Sequence, residues 1–209
     1  MKITVYNFKG GTGKTSLAMA IAKELDTAYI TNDAWDLDSD NSMIAHIFKK
    51  EERMELGFED EIPNLPDDIN VVFDLGGFPS PQAISAIKQS DVVVIPTENE
   101  SKTLQKTINT ISAVTEYNSN ILVVANKIKT TKDYENICSV LDSVFKKNFK
   151  IPSIRFSKGF DHIYEKGKSL SNIMKEDKLL NYNFNGVKRD LDVVISQIKK
   201  FKKQTKRVA

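Results

Sequence analysis

Cysteine is nearly absent from this chain, which has one among 209 residues. One thiol cannot form an internal disulfide framework, which argues against a disulfide-stabilised secreted protein. It also cannot supply the thiolates that an iron–sulfur cluster needs, which argues against a redox protein of that kind. The cysteine, Cys138, lies on a helical apolar pattern, and we expect it to be a buried small residue.

Long hydrophobic runs are missing as well. No stretch approaches the roughly 18 consecutive apolar residues that a membrane-spanning helix needs. The sequence passes from Met1 directly into a short apolar run, so no secretion signal is expected. A chain of 209 residues with 40% apolar content is long enough for one well-filled α/β domain and short for two. We therefore expect a single cytoplasmic domain over residues 1–209.

A strong excess of one charge is also lacking, because the formal net charge is +2. The balance hides an asymmetry along the chain. Residues 178–209 hold nine Lys or Arg and two Asp, a net +7, whereas the other 177 residues hold 21 Lys or Arg and 26 Asp or Glu, a net −5. A mildly acidic body with a basic C-terminal segment is therefore expected.

Short β-branched runs alternate with helical patterns along the chain. Continuous apolar character is typical of strands that are covered on both faces, and such runs occupy residues 3–6, 28–30, 71–73, 92–95 and 121–125. Helical patterns cover residues 15–25, 81–89, 101–117 and 134–145. The alternation predicts an α/β fold with a doubly wound, mostly parallel sheet and helices on both faces. Ligands then bind at the carboxyl ends of the strands.

The most specific motif lies at residues 8–16, which read FKGGTGKTS between the first predicted strand and the first predicted helix. Glycines let backbone N–H groups approach phosphate oxygens, and the helix start adds the positive end of its dipole. In such a loop Lys14 reaches the β- and γ-phosphates, and the Thr15 hydroxyl is a Mg²⁺ ligand. The predicted nucleotide-binding residues of the loop are Lys9, Gly10, Gly11, Thr12, Gly13, Lys14, Thr15 and Ser16.

The loop departs from the usual pattern GxxxxGK(S/T), because Phe8 stands where the first glycine belongs and a second lysine, Lys9, precedes Gly10. This KGGxGK(S/T) form resembles the deviant phosphate loop (deviant Walker A) of the ParA/MinD family of nucleotide-switch ATPases. The resemblance implies a P-loop NTPase fold, ATP and Mg²⁺ as ligands, and a homodimer formed on ATP binding. It also implies that Lys9 crosses the dimer interface to the partner's nucleotide and serves catalysis beside Lys14.

A carboxylate is expected at the end of a strand beside this loop. The apolar run at residues 71–73 is followed by Asp74 and then by Gly76 and Gly77. An aspartate there can hold a magnesium-bound water, and the glycines let the following segment approach the γ-phosphate. Aspartates also end strands as turn formers, so the assignment of Asp74 to the metal site depends on its distance from the phosphate loop.

A second acidic motif resembles the DxD that relatives carry after their second strand. Residues 36–38 read DLD, and Asp38 lies 24 residues after Lys14. We predict that Asp38 orients the attacking water and that Asp36 lies in the outer magnesium shell. The predicted strand ends earlier, so Asn32 or Asp33 is an alternative for the first carboxylate position. The motif also lacks the Pro-Gln that often follows it, and an acidic surface loop is the remaining interpretation.

Two later segments extend the resemblance. The run at residues 121–125 is followed by Asn126, and relatives use an asparagine there to contact adenine. Asn126 is therefore the predicted base-contacting residue, with a simple strand cap as the alternative. Residues 151–157 (IPSIRFS) and 167–170 (GKSL) resemble family patterns that flank the adenine and the dimer surface. The resemblance covers the chain from Lys2 to about Leu170.

The C-terminal segment, about residues 185–209, has apolar residues at 191, 194, 195, 198 and 201, which predicts an amphipathic helix. In one interpretation this stripe packs on the sheet and leaves a solvated basic end. In a second, the basic residues bind phosphates of nonspecific DNA, and in a third the helix lies on an anionic membrane. The predicted DNA-binding residues are Lys199, Lys200, Lys202, Lys203, Lys206 and Arg207.

Together these features resemble a small ParA-like ATPase that partitions plasmid or chromosomal DNA. Only residues 1–7 precede the phosphate loop, so no helix-turn-helix domain is expected before it. The resemblance implies a centromere-binding partner protein, nonspecific DNA as a second partner, a nucleoid-associated cytoplasmic location and no stable membrane anchor. A MinD-like membrane-associated positioning ATPase is the alternative. A metabolic enzyme with the same loop is a third hypothesis.

Overall fold

All strands of the sheet run parallel. The structure, a computed structural model, describes residues 1–32, 43–57, 60–146 and 150–208, and of residues 43 and 202–208 the backbone alone. The strand order is β3-β2-β4-β1-β5-β6-β7. The strands are β1 Lys2–Val5, β2 Ala28–Thr31, β3 Arg53–Glu55, β4 Val71–Asp74, β5 Val92–Thr97, β6 Ile121–Ile128 and β7 Ser153–Arg155.

Helices cover both faces of this sheet. One apolar core cluster contains residues of α1, α6, α7 and α8, and the other contains residues of α3, α4 and α5. The predicted doubly wound α/β fold is therefore confirmed. The helices are α1 Lys14–Leu25, α2 Met43–Ile47, α3 Pro81–Gln89, α4 Ser101–Thr115, α5 Thr131–Phe145, α6 Asp161–Lys166, α7 Leu170–Glu176 and α8 Lys178–Val208.

The five predicted strands are present because their apolar residues are buried on both faces. Val71, Val72 and Phe73 of β4 have no exposed surface, as expected for a central parallel strand. The four predicted helices are also present, with ends that differ by a few residues. Strand β6 continues to Ile128, so Asn126 lies within this strand rather than after it.

Further features of the fold differ from the prediction. The edge strands β3 and β7 have three residues each and give almost no hydrophobic pattern, so they were not predicted. The C-terminal helix begins at Lys178 rather than near residue 185. Cys138 is half-buried on α5, where it packs against the core without being fully enclosed.

Helix α8 packs its apolar stripe onto the protein. Leu191, Val194 and Ile198 are completely buried, and the helix contacts β6, β7 and α7. The stripe is therefore engaged in the core and not available as a free surface. Among the described residues, no helix has the length and apolar character that crossing a bilayer requires.

Strand β1 occupies the place in the sheet where a ligand site is expected. It lies between β4 and β5, and the chain moves to opposite sides of β1 before and after β4. In doubly wound sheets such a reversal opens a crevice at the carboxyl ends of the strands. The segment that follows β1 contains the glycine-rich motif, so the fold places that motif at the crevice.

Candidate functional site

The glycine-rich segment forms a loop whose backbone carbonyl groups are all engaged. From residue 9 to residue 13, each carbonyl oxygen accepts a hydrogen bond from a side chain or from the following helix. The bonds are Lys14 Nζ to Lys9 O at 3.2 Å, Lys9 Nζ to Gly10 O at 3.1 Å, Lys127 Nζ to Gly11 O at 2.6 Å, Asn126 Nδ2 to Thr12 O at 2.9 Å and Leu17 N to Gly13 O at 3.0 Å.

The amide groups of the same loop have the opposite character. Among the hydrogen bonds between described residues, none has the N–H group of Gly10, Gly11, Thr12 or Gly13 as its donor. Gly11 and Gly13 have φ angles of 82° and 81°, in the left-handed region that side chains disfavour. Positive φ angles at alternate residues of a loop turn successive N–H groups toward one side. The N–H groups then form an anion-binding concavity.

Helix α1 completes this concavity. Gly13 is its N-cap residue, and no side chain caps the first turn. The positive end of the helix dipole therefore points toward an anion in the concavity. A Cβ atom on Gly13 would lie 2.5 Å from Asn126 Nδ2, so glycine at this position leaves room for the Asn126 side chain against the loop.

An open cavity of about 650 Å³ lies in front of the loop. A volume of this order suits a nucleotide-sized ligand. The loop, the segment after β4 and the start of α3 form its wall, which is lined by Phe8, Gly10, Gly11, Gly13, Lys14, Thr15, Ser16, Asn32, Gly76, Gly77, Phe78, Ser80, Gln82 and Lys127.

Asp74 lies behind the loop at the end of β4, with 1% of its surface exposed. The parallel register places it beside Val5 at the end of β1 and Thr31 at the end of β2. Asp74 Oδ2 accepts a hydrogen bond of 2.7 Å from the Tyr29 hydroxyl. Burial, and then the charge of Asp74, raise the pKa of Tyr29 well above its ordinary value, so this hydroxyl remains a donor.

A hydroxyl and a carboxylate are donor types that Mg²⁺ prefers. Thr15 lines the cavity, and Asp74 ends β4, which pairs with β1 where that strand leads into the same loop. The residues present therefore fit a nucleotide–magnesium site, with the N–H concavity for phosphates and these two oxygen ligands for the ion. No cluster of three or more metal-binding His, Cys, Asp or Glu side chains occurs in the described part of the chain.

The acidic motif of the sequence lies outside the described residues, and with it Asp33, Asp36 and Asp38. Asn32, the residue before that segment, is held on both sides. Its Oδ1 accepts the Gly76 N–H at 2.7 Å, and its Nδ2 donates to Gln82 Oε1 at 2.7 Å. Asn32 therefore lies at the wall of the cavity, beside the loop that follows Asp74.

Asn126 is 4% exposed, and its amide nitrogen is bonded to the phosphate loop. It therefore supports the loop from behind, and its contact with adenine remains a prediction. The neighbouring Lys127 was missed by the sequence reasoning. Lys127 adopts a φ of 54° and lines the cavity. Its Nζ lies 2.8 Å from Glu98 Oε1 and also donates to Gly11 O. Its one signal in the sequence is its position directly after Asn126.

The segment after β7 reaches the start of α1. The Tyr164 hydroxyl of α6 donates to Ser16 Oγ at 2.9 Å. Burial is the main cause that raises the pKa of Tyr164. Arg155, part of the predicted IP…R pattern, forms a salt bridge of 2.6 Å with Asp190 of α8 and so ties the C-terminal helix to the sheet edge.

The predicted DNA-binding residues occupy the end of α8. Lys199 and Lys200 are exposed, and Lys200 Nζ donates to Gln197 Oε1 at 3.0 Å. The helical backbone continues to Val208, whereas the side chains of Lys202, Lys203, Lys206 and Arg207 lie outside the description. The binding of DNA by this segment remains a prediction.

The family of the chain follows from comparison with known proteins. Residues 3–170 match the family model described as the CobQ/CobB/MinD/ParA nucleotide binding domain. The chain belongs to this family, and its resemblance to ParA/MinD proteins is confirmed. Comparison with curated proteins found no match.

Solved structures share the fold at low sequence identity. Apo McdA of Cyanothece is 17% identical with a TM-score of 0.61, over 91% of this chain and 98% of that one. The cell division ATPase MinD of Pyrococcus furiosus is 17% identical with a TM-score of 0.63, over 95% and 98%. A Borrelia burgdorferi protein described as a plasmid partition protein, bound to AMPPNP, is 14% identical with a TM-score of 0.57, over 97% and 98%.

The bond between Tyr29 and Asp74 predicts a stability effect. Tyr29→Phe removes a buried donor to the carboxylate but keeps the ring stacked on Phe48, whose centroid is 4.6 Å away. We expect the free energy of unfolding, measured by urea denaturation, to fall by about 1–3 kcal/mol. Tyr182→Phe is the matched control, because Tyr182 is 85% exposed and its hydroxyl removal is expected to be neutral. Equal stability of the two variants would contradict the assignment.

Proposed function

We propose that the chain is a ParA-type ATPase in which two copies close over ATP and partition DNA. The observation that carries the proposal is the position of Lys9. It belongs to a preformed phosphate loop, and its ammonium group bonds Gly10 O at the exposed surface of that loop. Lys14, which is 7% exposed, already provides a lysine for the nucleotide bound by the same chain. A second lysine is therefore not needed for that nucleotide. Lys9 is thus suited to a phosphate brought by another chain.

Each predicted residue has a defined task in this proposal. The N–H groups of residues 10–16 hold the phosphates, Lys14 compensates their charge, and the Thr15 hydroxyl and Asp74 hold the magnesium ion or its bound water. The ion, when bound, neutralises charge on the β- and γ-phosphates. Asn126 supports the loop and faces the base, and Lys9 compensates charge on the nucleotide of the second copy.

Hydrolysis is assigned to the acidic segment after Asn32. Asp38 orients the attacking water, and Asp36 lies in the outer shell of the ion. The contacts of Asn32 with Gly76 and Gln82 support this assignment, because they hold the residue that precedes the segment in the sequence at the cavity wall. Slow hydrolysis, accelerated by a centromere-binding partner, then releases the two copies from one another.

The C-terminal helix is proposed to bind nonspecific DNA rather than a membrane. An interfacial membrane helix needs a free apolar face, but Leu191, Val194 and Ile198 are fully buried on the protein. The part of α8 that remains exposed near its end is basic, as Lys199 and Lys200 indicate. Closing two copies would place two such ends on one DNA molecule, which raises the apparent affinity through multivalency. A MinD-like membrane ATPase is the alternative that the tests distinguish.

Variants of the two lysines in the loop are predicted to affect different steps, with Lys14 needed for ATP binding and Lys9 needed for dimerisation. Lys14→Ala removes the charge at the phosphates of the same chain and should abolish ATP binding measured by calorimetry. Lys9→Ala should keep ATP affinity within about threefold but lose ATP-dependent dimerisation measured by light scattering, because one interchain charge pair is worth more than 1.4 kcal/mol when desolvated. Lys102→Ala, an exposed lysine of α4, is the control. ATP-dependent dimerisation of Lys9→Ala at the wild-type level would reject the bridging role.

The basic end of α8 predicts a salt-dependent DNA affinity. Each phosphate contact contributes about 0.9 to the slope of log K against log salt concentration. Replacing Lys199 and Lys200 with Gln should lower that slope by up to about 2 for each chain, measured by fluorescence anisotropy with ATP present. The matched control replaces Lys49 and Lys50, an equally exposed lysine pair distant in sequence. Equal slopes for both double variants, or flotation of the wild type with anionic liposomes, would favour the alternative.

A further inference from the structure

A buried polar cluster lies beneath the residues that lead into the phosphate loop. Asn7, Thr97, Thr107 and Thr110 have no exposed surface. Burying hydroxyl and amide groups is costly unless each is hydrogen-bonded, and an apolar residue at these positions would avoid that cost. Thr107 and Thr110 lie on the inner face of α4, between the apolar residues Leu104 and Ile111 that pack in the same core. The cluster therefore calls for an explanation beyond core packing.

Asn7 is the centre of this cluster and uses both of its polar atoms. Its Oδ1 accepts the Lys9 N–H at 2.9 Å. Its Nδ2 donates to Pro96 O at 2.8 Å and to Thr107 Oγ1 at 2.9 Å. The Thr107 hydroxyl in turn donates to Thr97 Oγ1 at 2.9 Å. The Lys9 amide is thereby linked through one side chain to both β5 and α4.

Thr110 accepts a hydrogen bond from the amide of Phe8, the residue before Lys9. The Phe8 N–H donates to Thr110 Oγ1 at 3.0 Å, while the Thr110 hydroxyl donates to Lys106 O at 2.7 Å within its own helix. Two consecutive amides, those of Phe8 and Lys9, are thus fixed by buried acceptors. In a chain segment each fixed amide restricts the plane of its peptide, so the direction in which the next side chain leaves the backbone is restricted too.

The opposite side of the same segment is closed by the loop after Asp74. A Cβ atom on Gly77 would lie 2.9 Å from Asn7 O and 3.0 Å from Phe8 O. Only glycine permits this approach, so the peptides of Asn7 and Phe8 are clamped between Gly77 and α4. This contact restricts the two peptides and with them the direction in which Lys9 leaves the backbone.

We propose that Asn7 and Thr110 are positioning residues for Lys9, which fix the Phe8 and Lys9 amides and thereby set the direction in which the Lys9 side chain leaves the backbone at the start of the phosphate loop. The effect of this positioning on dimerisation rests on the proposed function, in which Lys9 reaches the second copy. The positioning itself is a property of the single chain and can be measured without any nucleotide.

The test uses Thr110→Val, which keeps the shape of the side chain and removes the acceptor of the Phe8 N–H. The matched control is Thr115→Val on the same helix, because the Thr115 hydroxyl donates to Ile111 O of its own helix at 2.6 Å and, among the described residues, makes no hydrogen bond to the segment before the loop. Hydrogen exchange of the Phe8 amide, followed by NMR in the nucleotide-free protein, should be roughly tenfold or more faster in Thr110→Val. Exchange in Thr115→Val should equal that of the wild type, and Thr110→Ser should restore slow exchange.

A second measurement separates positioning from a general loss of stability. In Thr110→Val the association constant for the ATP-bound dimer should fall roughly tenfold, while the affinity for ADP stays within about twofold. If valine is not accommodated, Thr110→Ala removes the same acceptor with less crowding and gives the same test. Unchanged amide exchange in Thr110→Val and Thr110→Ala, or an equal fall of ADP affinity and association, would overturn the proposal. Slow exchange in a wild-type chain that never dimerises would reject the proposed function and leave the positioning intact.

Discussion

A phosphate loop must direct its N–H groups toward an anion while its carbonyl groups find donors elsewhere, and the structure of this protein is arranged around that requirement. Unsatisfied carbonyl groups near a buried strand end are costly, and carbonyls turned toward a phosphate would repel it. Here lysine and asparagine side chains donate hydrogen bonds to the carbonyl oxygens of residues 9–12. The concave side of the loop is left with donors, and this electrostatic polarity exists before a ligand arrives.

The sheet supplies those donors because of its strand order. Strand β6 lies two positions from β1, so Asn126 and Lys127 reach the loop from one side. Asp74 on the adjacent β4 lies on the other side of β1. The two faces of the sheet then have separate tasks: α4 holds the residues that lead into the loop, whereas α8 buries its apolar stripe on the opposite face and leaves a basic end exposed.

The sequence allowed prediction of those features that depend on residues close together in the chain. The loop at residues 8–16 and the buried runs of β4 and β5 could be predicted because their meaning is contained in short segments. The three-residue edge strands could not, since their pairing depends on the neighbouring strand and not on their own pattern. The contact of Lys127 with Gly11 and that of Thr110 with Phe8 join residues about 100 positions apart, so no local pattern reveals them. The stripe of α8 was recognised, but its burial was decided only by the structure.

The central claim is that each copy completes the nucleotide site of the other with Lys9. The most direct measurement is a crystal structure of the chain with Mg²⁺ and a nonhydrolysable ATP analogue. We expect two chains related by a twofold axis, with each Lys9 ammonium within about 3 Å of a phosphate held by the other chain. A structure in which Lys9 contacts only the nucleotide of its own chain, with no second copy over the site, would contradict it.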